Sequence, residues 1–304
     1  MATEPGRGGW LVIDKPAGIT SNRVVERVRH ATGMKTGHAG TLDPLATGIL
    51  PVALGEATKT VAFISKAEKR YAFRVRWGIA TDTEDSEGAA VAESPVRPDA
   101  AAIRDVLPHF IGTTAQRPPT YSAIKIAGRR SYALARAGRS TQLAERQVTI
   151  AALELTALPD PDHAEFSARV GEGTYIRALA RDIAETLGTR GHITALRRLS
   201  VGRFGEAQAI SLDLATTLGH SLLASGHLLP IEAALDDIPA LALTADEAAR
   251  LRHGQRIDLN GSGEGARLDR LDDGMIVGAR HDQLLVGLAR IENGRLLPVR
   301  MIND

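Results

Sequence analysis

Apolar positions along the chain fall into short blocks whose spacing changes several times. Residues 10–15 (WLVIDK) make a mainly apolar run stopped by Pro16 and Gly18, which predicts a short strand. Thr20, Ser21 and Asn22 then provide an N-cap for an amphipathic helix carrying Val24, Val25 and Val28. From Gly33 to Leu50 (GMKTGHAGTLDPLATGIL), four glycines and a proline break any single period and predict a structured loop. Residues 71–79 (YAFRVRWGI) alternate as a strand, the acidic residues after them predict a turn, and residues 101–110 predict a helix.

Residues 165–170 predict another strand, running into Gly171 and Gly173. Between Thr174 and Leu187, apolar residues recur at Ile176, Leu179, Ile183 and Leu187, and Gly188 follows. That is the spacing and the stop of a helix. Residues 212–225 are apolar without a deciding period. Near Ile238 and Pro239 the character changes to short alternating runs (RLDRL, MIVGAR, LLVGLARI) separated by glycines and by Asn-Gly pairs at Asn260 and Asn293. The expectation is an α+β chain with one large domain over residues 1–235 and a small β-rich domain over 236–304.

Composition narrows the function classes. Of 304 residues, 43% are hydrophobic and 24% charged, so a buried core is expected. The absence of cysteine removes disulfides, thiol catalysis and Cys-ligated metal sites together. The first residues, MATEPGRGGW, lack the apolar stretch of a secretory signal, and no window approaches a membrane span, so cytoplasm is the expected location. A net charge of +1 conceals segregation. Between Arg117 and Gln147, seven basic residues (Arg117, Lys125, Arg129, Arg130, Arg136, Arg139, Arg146) face one acid, Glu145. Residues 66–76 hold five basic residues against Glu68, and residues 190–203 hold four arginines and no acid. Such segments are either phosphate contacts or solvated faces.

Familiar nucleotide, metal and hydrolase motifs are missing: there is no P-loop, no H-E-x-x-H, no G-x-S-x-G, and no dinucleotide fingerprint in a strand–turn–helix setting. What stands out is the loop Gly37-His38-Ala39-Gly40-Thr41-Leu42-Asp43-Pro44-Leu45-Ala46-Thr47-Gly48. Pro44 restricts the backbone of Asp43, and the glycines allow a close approach, so the carboxylate either meets a ligand or caps its own turn. Arg177 falls in the first turn of a predicted helix, where the dipole disfavours a cation; it calls for a carboxylate partner, or lies exposed beside an Arg181–Glu185 pair. In Lys69-Arg70-Tyr71 an aromatic follows two cations, which suits base stacking as well as ordinary strand packing.

Taken together, these segments resemble the TruB-type tRNA pseudouridine synthases. GHAGTLDPLATG is similar to that family's catalytic-aspartate motif. IDKPAG at 13–18, GEATK at 55–59, KRY at 69–71, GTYIRALARD at 173–182 and LRRL at 196–199 follow in the family's order. The resemblance implies a pseudouridine synthase fold, a mixed and mainly antiparallel sheet with flanking helices, acting on uridine-55 in the T-loop of tRNA. It implies Asp43 as catalytic aspartate, Arg177 as its partner and Tyr71 beside the base, with His38, Tyr175, Leu196 and Lys15 lining the substrate site. It further implies a monomer with no cofactor, no metal and no obligatory protein partner, contacting RNA phosphates through Lys69, Arg70, Lys125, Arg129, Arg130 and Arg198. LTADEAARLRHGQRI resembles the opening of a PUA-like RNA-binding domain, although GSGEG at 261–265 departs from that pattern. The alternatives are an RNA-binding or tRNA-folding protein and a guide-RNA-dependent pseudouridylase. If the basic segments grip phosphates, RNA affinity measured by filter binding should fall on the order of a thousandfold or more between about 50 and 200 mM salt; a flat response would contradict that grip.

Overall fold

The structure, a computed structural model, describes residues 7–122, 143–236, 238–259, 271–282 and 284–303, with the backbone alone of 125–126 and 129–130. Strands β1 (Gly8–Lys15), β2 (Thr36–His38), β3 (Thr47–Gly55) and β4 (Lys69–Trp77) belong to one large sheet. β5 (Ile79–Thr81) and β6 (Ala90–Glu93) pair with each other; β7 (Gly112–Gln116) rejoins the large sheet; β8 (Lys125–Ile126) and β9 (Arg129–Arg130) form a short ladder. β10 (Arg146–Asp160), β11 (His163–Val170), β12 (Gly191–Val201), β13 (Phe204–Gly205) and β14 (Ile210–Ser211) complete the large sheet. Its order is β14-β1-β3-β12-β4-β11-β10-β7, with β2 on β3 and β13 on β12. β1 with β14 and β3 with β12 run parallel and the other pairings antiparallel, so the sheet is mixed and mainly antiparallel, as expected.

Alternation along β4 decides which face is covered. Tyr71, Phe73, Val75 and Trp77 point inward, while Arg70, Arg74 and Arg76 stay exposed on the opposite face. The inward face packs Phe73 on Phe166 (ring centroids 5.2 Å apart) and is covered by the helices Ser21–Thr32, Ala100–Val106, Ile176–Thr186 and Leu212–Leu218, which contribute Val24, Val28, Ile103, Leu179, Ile183 and Leu212 to one core.

Several sequence expectations shift in detail. The 33–50 loop contains β2 and the start of β3. The helix expected over 101–110 is α-helical only to Val106, because Pro108 ends the ladder and Leu107–Phe110 tightens to a 3-10 turn. Residues 212–225 resolve into the helix Leu212–Leu218 and a 3-10 stretch, Gly219–Ala224. Thr20 caps the Ser21–Thr32 helix by accepting from the Arg23 amide, which leaves Ser21 free for another task.

Five strands make the C-terminal sheet: β15 (Ala240–Ala242), β16 (Ile257–Asp258), β17 (Ile276–His281), β18 (Leu284–Glu292) and β19 (Arg295–Met301), in the order β15-β17-β18-β19-β16. Its core includes Leu241, Leu251, Val277, Val286 and Leu296. The helix Ala245–Arg252 opens with a Thr244–Glu247 capping box. The GSGEG segment lies outside the described residues. A second apolar cluster joins the two sheets: Leu285, Leu288 and Ile302 meet Trp10, Ile64 and Phe204. Around it the GEATK motif reads backbone atoms of the far end of the chain. Lys59 Nζ donates to the Met301 carbonyl (2.8 Å) and to Glu56, whose Oε2 accepts from the Asn303 amide; Arg7 Nη2 donates to the Leu285 carbonyl (2.7 Å). Lys59→Met should weaken this docking by about 1–3 kcal/mol, seen as faster amide hydrogen exchange in β18 and β19 while the large sheet stays protected.

Candidate active site

Asp43 sits at the turn between β2 and β3, where the Asp43 carbonyl accepts from the Ala46 amide (3.1 Å). Distant side chains fix the loop through its backbone. Ser21 Oγ donates to the Leu42 carbonyl (3.1 Å) and accepts from the Leu42 amide (2.8 Å). The Pro44 carbonyl accepts from the Gly18 amide (2.8 Å) and from Lys15 Nζ (3.2 Å); the Gly40 carbonyl accepts from Arg198 Nη2 (2.9 Å). Gly48, at φ +97°, carries no Cβ because one would stand 2.2 Å from the Arg198 carbonyl in the parallel β3–β12 seam.

Across from the loop, Arg177 occupies the first turn of the Ile176–Thr186 helix. Its Nε donates to Asp43 Oδ2 (2.8 Å) and its Nη2 to Asp43 Oδ1 (3.1 Å), a two-pronged charge-assisted pair. Nη1 also donates to the Thr83 carbonyl (2.7 Å) and Nη2 to the Tyr121 carbonyl (2.8 Å), and Asp85 Oδ2 lies 3.8 Å from Nε. Burial works against the guanidinium charge, but Asp43, Asp85 and Glu84 outweigh it and hold the pKa of Arg177 above its ordinary value. Exposure is uneven: 4% for the Arg177 side chain and 31% for Asp43. The arginine is backing, and the carboxylate faces open space.

Around this pair the chain gathers aromatic and apolar groups. Tyr71 and Leu196 are buried in one cluster with Leu42 and Ile176, the chain neighbours of Asp43 and Arg177. Tyr175, half-buried, precedes the helix; its amide donates to Gln116 Oε1 (2.9 Å), its carbonyl accepts from Gln116 Nε2 (3.1 Å), and the Arg146 guanidinium lies 4.8 Å from its ring centre. His38 ends β2, partly buried, at the foot of the loop.

Sequence comparison agrees with this geometry. Family models described as TruB family pseudouridylate synthase (N terminal domain), tRNA pseudouridylate synthase B C-terminal domain, and Pseudouridine synthase II TruB, C-terminal match residues 27–176, 177–236 and 239–302. The chain is 50% identical over 296 residues to a tRNA pseudouridine synthase B of Rhodospirillum rubrum, covering 97% of this chain and 96% of that one. It is 50% identical over 297 residues to one of Gluconacetobacter diazotrophicus, covering 97% of each. The chain belongs to the TruB family of pseudouridylate synthases. Among solved structures, an archaeal box H/ACA sRNP Nop10-Cbf5 complex superposes with TM-score 0.74 at 22% identity, over 99% of this chain and 88% of that one. An H/ACA RNP bound to a substrate RNA containing 2'-deoxyuridine gives 0.74 at 21%, over 99% and 86%. At that identity the likeness speaks for the pseudouridine synthase fold alone.

Within this TruB family frame, three expected ligand contacts turn out differently. Lys15 is fully buried, and its ammonium donates to the Pro16, Ile19 and Pro44 carbonyls (2.9, 2.8 and 3.2 Å), so all three donors serve the loops and none faces a substrate. Lys69 is 7% exposed and donates to the Ser65 and Ala67 carbonyls, both at 2.7 Å; Arg198 is 1% exposed and holds the Ile49 and Gly40 carbonyls. Neither is placed to meet a phosphate. Arg70 is exposed, but on the face opposite Tyr71. The side chains of Lys125, Arg129 and Arg130 lie outside the described residues, as do Arg136 and Arg139. The expected Arg181–Glu185 pair is replaced: Arg181 pairs with Glu84 and Asp182, and Glu185 with Arg190.

Sequence reasoning missed Ser21, Asp85 and Gln116 as parts of the site. The acidic stretch 82–87 forms the expected turn, but within it Asp85 is buried and accepts from Thr83 Oγ1 (2.5 Å) and the Glu87 amide (3.0 Å). Its signal was the alternation of threonine and acid in Thr81-Asp82-Thr83-Glu84-Asp85, which supplies local acceptors and donors for a folded-back turn. Among the described residues no cluster of three or more His, Asp or Glu stands ready to hold a metal ion, and no helix is long and apolar enough to cross a membrane.

Burial lowers the Lys15 pKa from 10.5 to about 8, with Arg198 adding to the fall and Asp43 opposing it; burial and Arg198 bring Lys69 to about 8 as well. Between about pH 8 and 10.5 the folded protein therefore holds fewer protons than the unfolded chain, and these two groups make stability rise with pH there. Calorimetric unfolding at about pH 9 in buffers of different ionisation heat should show proton uptake, reduced by about one proton in Lys69→Met. Uptake unchanged by the substitution would contradict the low value at Lys69.

Proposed function

We propose that this chain converts uridine-55 in the T-loop of tRNA to pseudouridine, with the Asp43 carboxylate as the reacting group of the protein. The observation that carries the reading is the Arg177–Asp43 pair: a carboxylate gripped at both oxygens by a buried guanidinium, yet itself open to solvent on one side. Full-length similarity to relatives named tRNA pseudouridine synthase B supports tRNA as substrate.

The chemistry suits such a site. Pseudouridine formation breaks the N1–C1′ bond, turns the base and joins C5 to C1′. The C5 proton leaves to solvent, N1 gains one, and nothing is oxidised. A fixed carboxylate can act as nucleophile or as base at that centre. The uridine must first leave the stack, which costs a few kcal/mol that aromatic contacts return in part. Tyr71 is assigned to the face of the flipped base, with proton transfer by its hydroxyl as the second role the family resemblance allows, and His38 to the space the base vacates; Tyr175 and Leu196 complete the lining. The domains are read as catalytic over 1–235 and PUA-like over 236–304, the second holding RNA together with Lys125, Arg129 and Arg130. The protein is read as a cytoplasmic monomer that needs no cofactor or protein partner.

The test uses purified protein and unmodified tRNA tritiated at C5 of uridine. Tritium release mapped to one T-loop position and abolished in Asp43→Asn is the expected result. Arg177→Met should lose turnover far more than RNA affinity, and Tyr71→Phe separates stacking, which keeps the rate, from proton transfer, which does not. Tight tRNA binding with no release from the parent protein would reject the catalytic reading in favour of an RNA-folding or guide-dependent role.

A further inference from the structure

Four residues beyond Arg177, and so on the same side of the helix, stands a half-buried arginine that the proposed reaction does not use. Arg181 Nη1 donates to Glu84 Oε1, Nη2 to the Arg117 carbonyl (2.8 Å) and Nε to Asp182 Oδ1 (2.9 Å). Its side chain is 21% exposed and that of Glu84 15%. Burial alone would lower the Arg181 pKa, and Glu84 with Asp182 more than reverses this.

The two arginines hold the same two walls. Arg177 takes the Thr83 carbonyl and Arg181 the carboxylate of the next residue, Glu84; Arg177 takes the Tyr121 carbonyl and Arg181 that of Arg117, four residues earlier in the same segment. Glu84 is held at φ +62°, in the left-handed region that a residue with a Cβ rarely adopts. Glycine would fit that backbone better, so the side chain is retained against a conformational cost. Its backbone is fastened as well: the Glu84 carbonyl accepts from the Ile193 amide (3.1 Å) and its amide donates to the Thr81 carbonyl (3.1 Å).

We propose that Glu84 and Arg181 are positioning residues that set the place of the Thr83–Asp85 turn and the Arg117–Tyr121 segment against Arg177, and through it the orientation of the Asp43 carboxylate. The pair touches no substrate. It acts because Arg177 has acceptors on both walls, so a shift of either wall redirects the guanidinium and the carboxylate it grips. The inference rests on the reading of Asp43 and Arg177 given above.

Single-turnover tritium release at saturating tRNA, tRNA affinity and thermal midpoint should be measured on the full chain for Glu84→Gly, Glu84→Gln, Arg181→Met, Arg181→Lys and Glu84→Gly combined with Arg181→Met. Glu84→Gly and Arg181→Met should each slow the chemical step on the order of ten- to a hundredfold while affinity stays within about threefold. Arg181→Lys should be intermediate, since an ammonium reaches one wall but not both. Glu84→Gly relaxes the backbone, so its loss of rate comes without a lower midpoint, which separates positioning from plain destabilisation. The combined variant should be no slower than the worse single one. Rates within about twofold of the parent, losses that multiply in the combined variant, or losses that track the thermal midpoint would each overturn the proposal. A parent protein that converts nothing sinks the reading of Asp43 and this inference with it; an active parent with unaffected variants sinks this inference alone.

Discussion

A guanidinium taken almost wholly out of water organises this molecule. Left without partners, Arg177 would cost more than any nearby contact could return, so the fold has to bring acceptors to it. They come from separate parts of the chain: the two oxygens of Asp43, the carbonyls of Thr83 and Tyr121, and the nearby carboxylate of Asp85. The loop after β2, the acidic turn after β5 and the segment after β7 converge because one residue at the start of a helix requires them. The helix dipole sharpens the demand, since a cation in the first turn is disfavoured until a negative charge faces it.

Rigidity reaches the aspartate by a different route. Ser21, Lys15, Gly18 and Arg198 bond to main-chain atoms of residues 40–44; Lys15 and Arg198 come from strands of the large sheet, Ser21 from the first turn of a covering helix, and Gly18 from the turn between β1 and that helix. The two systems divide the work: main-chain bonds fix where the loop is, and the arginine fixes how the carboxylate is turned. A group placed that way suits a reaction in which the protein supplies one functional group and the RNA supplies the rest.

Legibility in the sequence followed how many faces an element covers. β4 was plain because one face is wet, and Tyr71, Phe73, Val75 and Trp77 alternate with exposed partners. β3 was hidden because both its faces are packed, Leu50, Val52 and Leu54 on one core and Ile49 and Ala53 on another, so the run shows no period. β12 was hidden by register shifts at Ile193/Ala195 and Arg198/Ser200, which break the alternation and turn Arg198 into the sheet. The aspartate and its arginine were legible as motifs. The tasks of Lys15, Lys69 and Arg198 were not, because a cation bonded to carbonyls and a cation awaiting a phosphate look alike in one dimension.

The contacts that hold the loop have a consequence for how this site can vary. Ser21, Lys15 and Arg198 recognise carbonyls and amides that every amino acid carries, and Thr41 points to solvent. Within the loop, side-chain identity is therefore demanded at Asp43, at the positive-φ glycines Gly40 and Gly48, and at the buried Ala39, Leu42 and Ala46. The tightest constraints on the loop's shape are written elsewhere, in residues that neighbour it in space but stand up to 158 positions away in the chain. Drift at the exposed Thr41 is tolerated by that frame; drift at a remote arginine dismantles it.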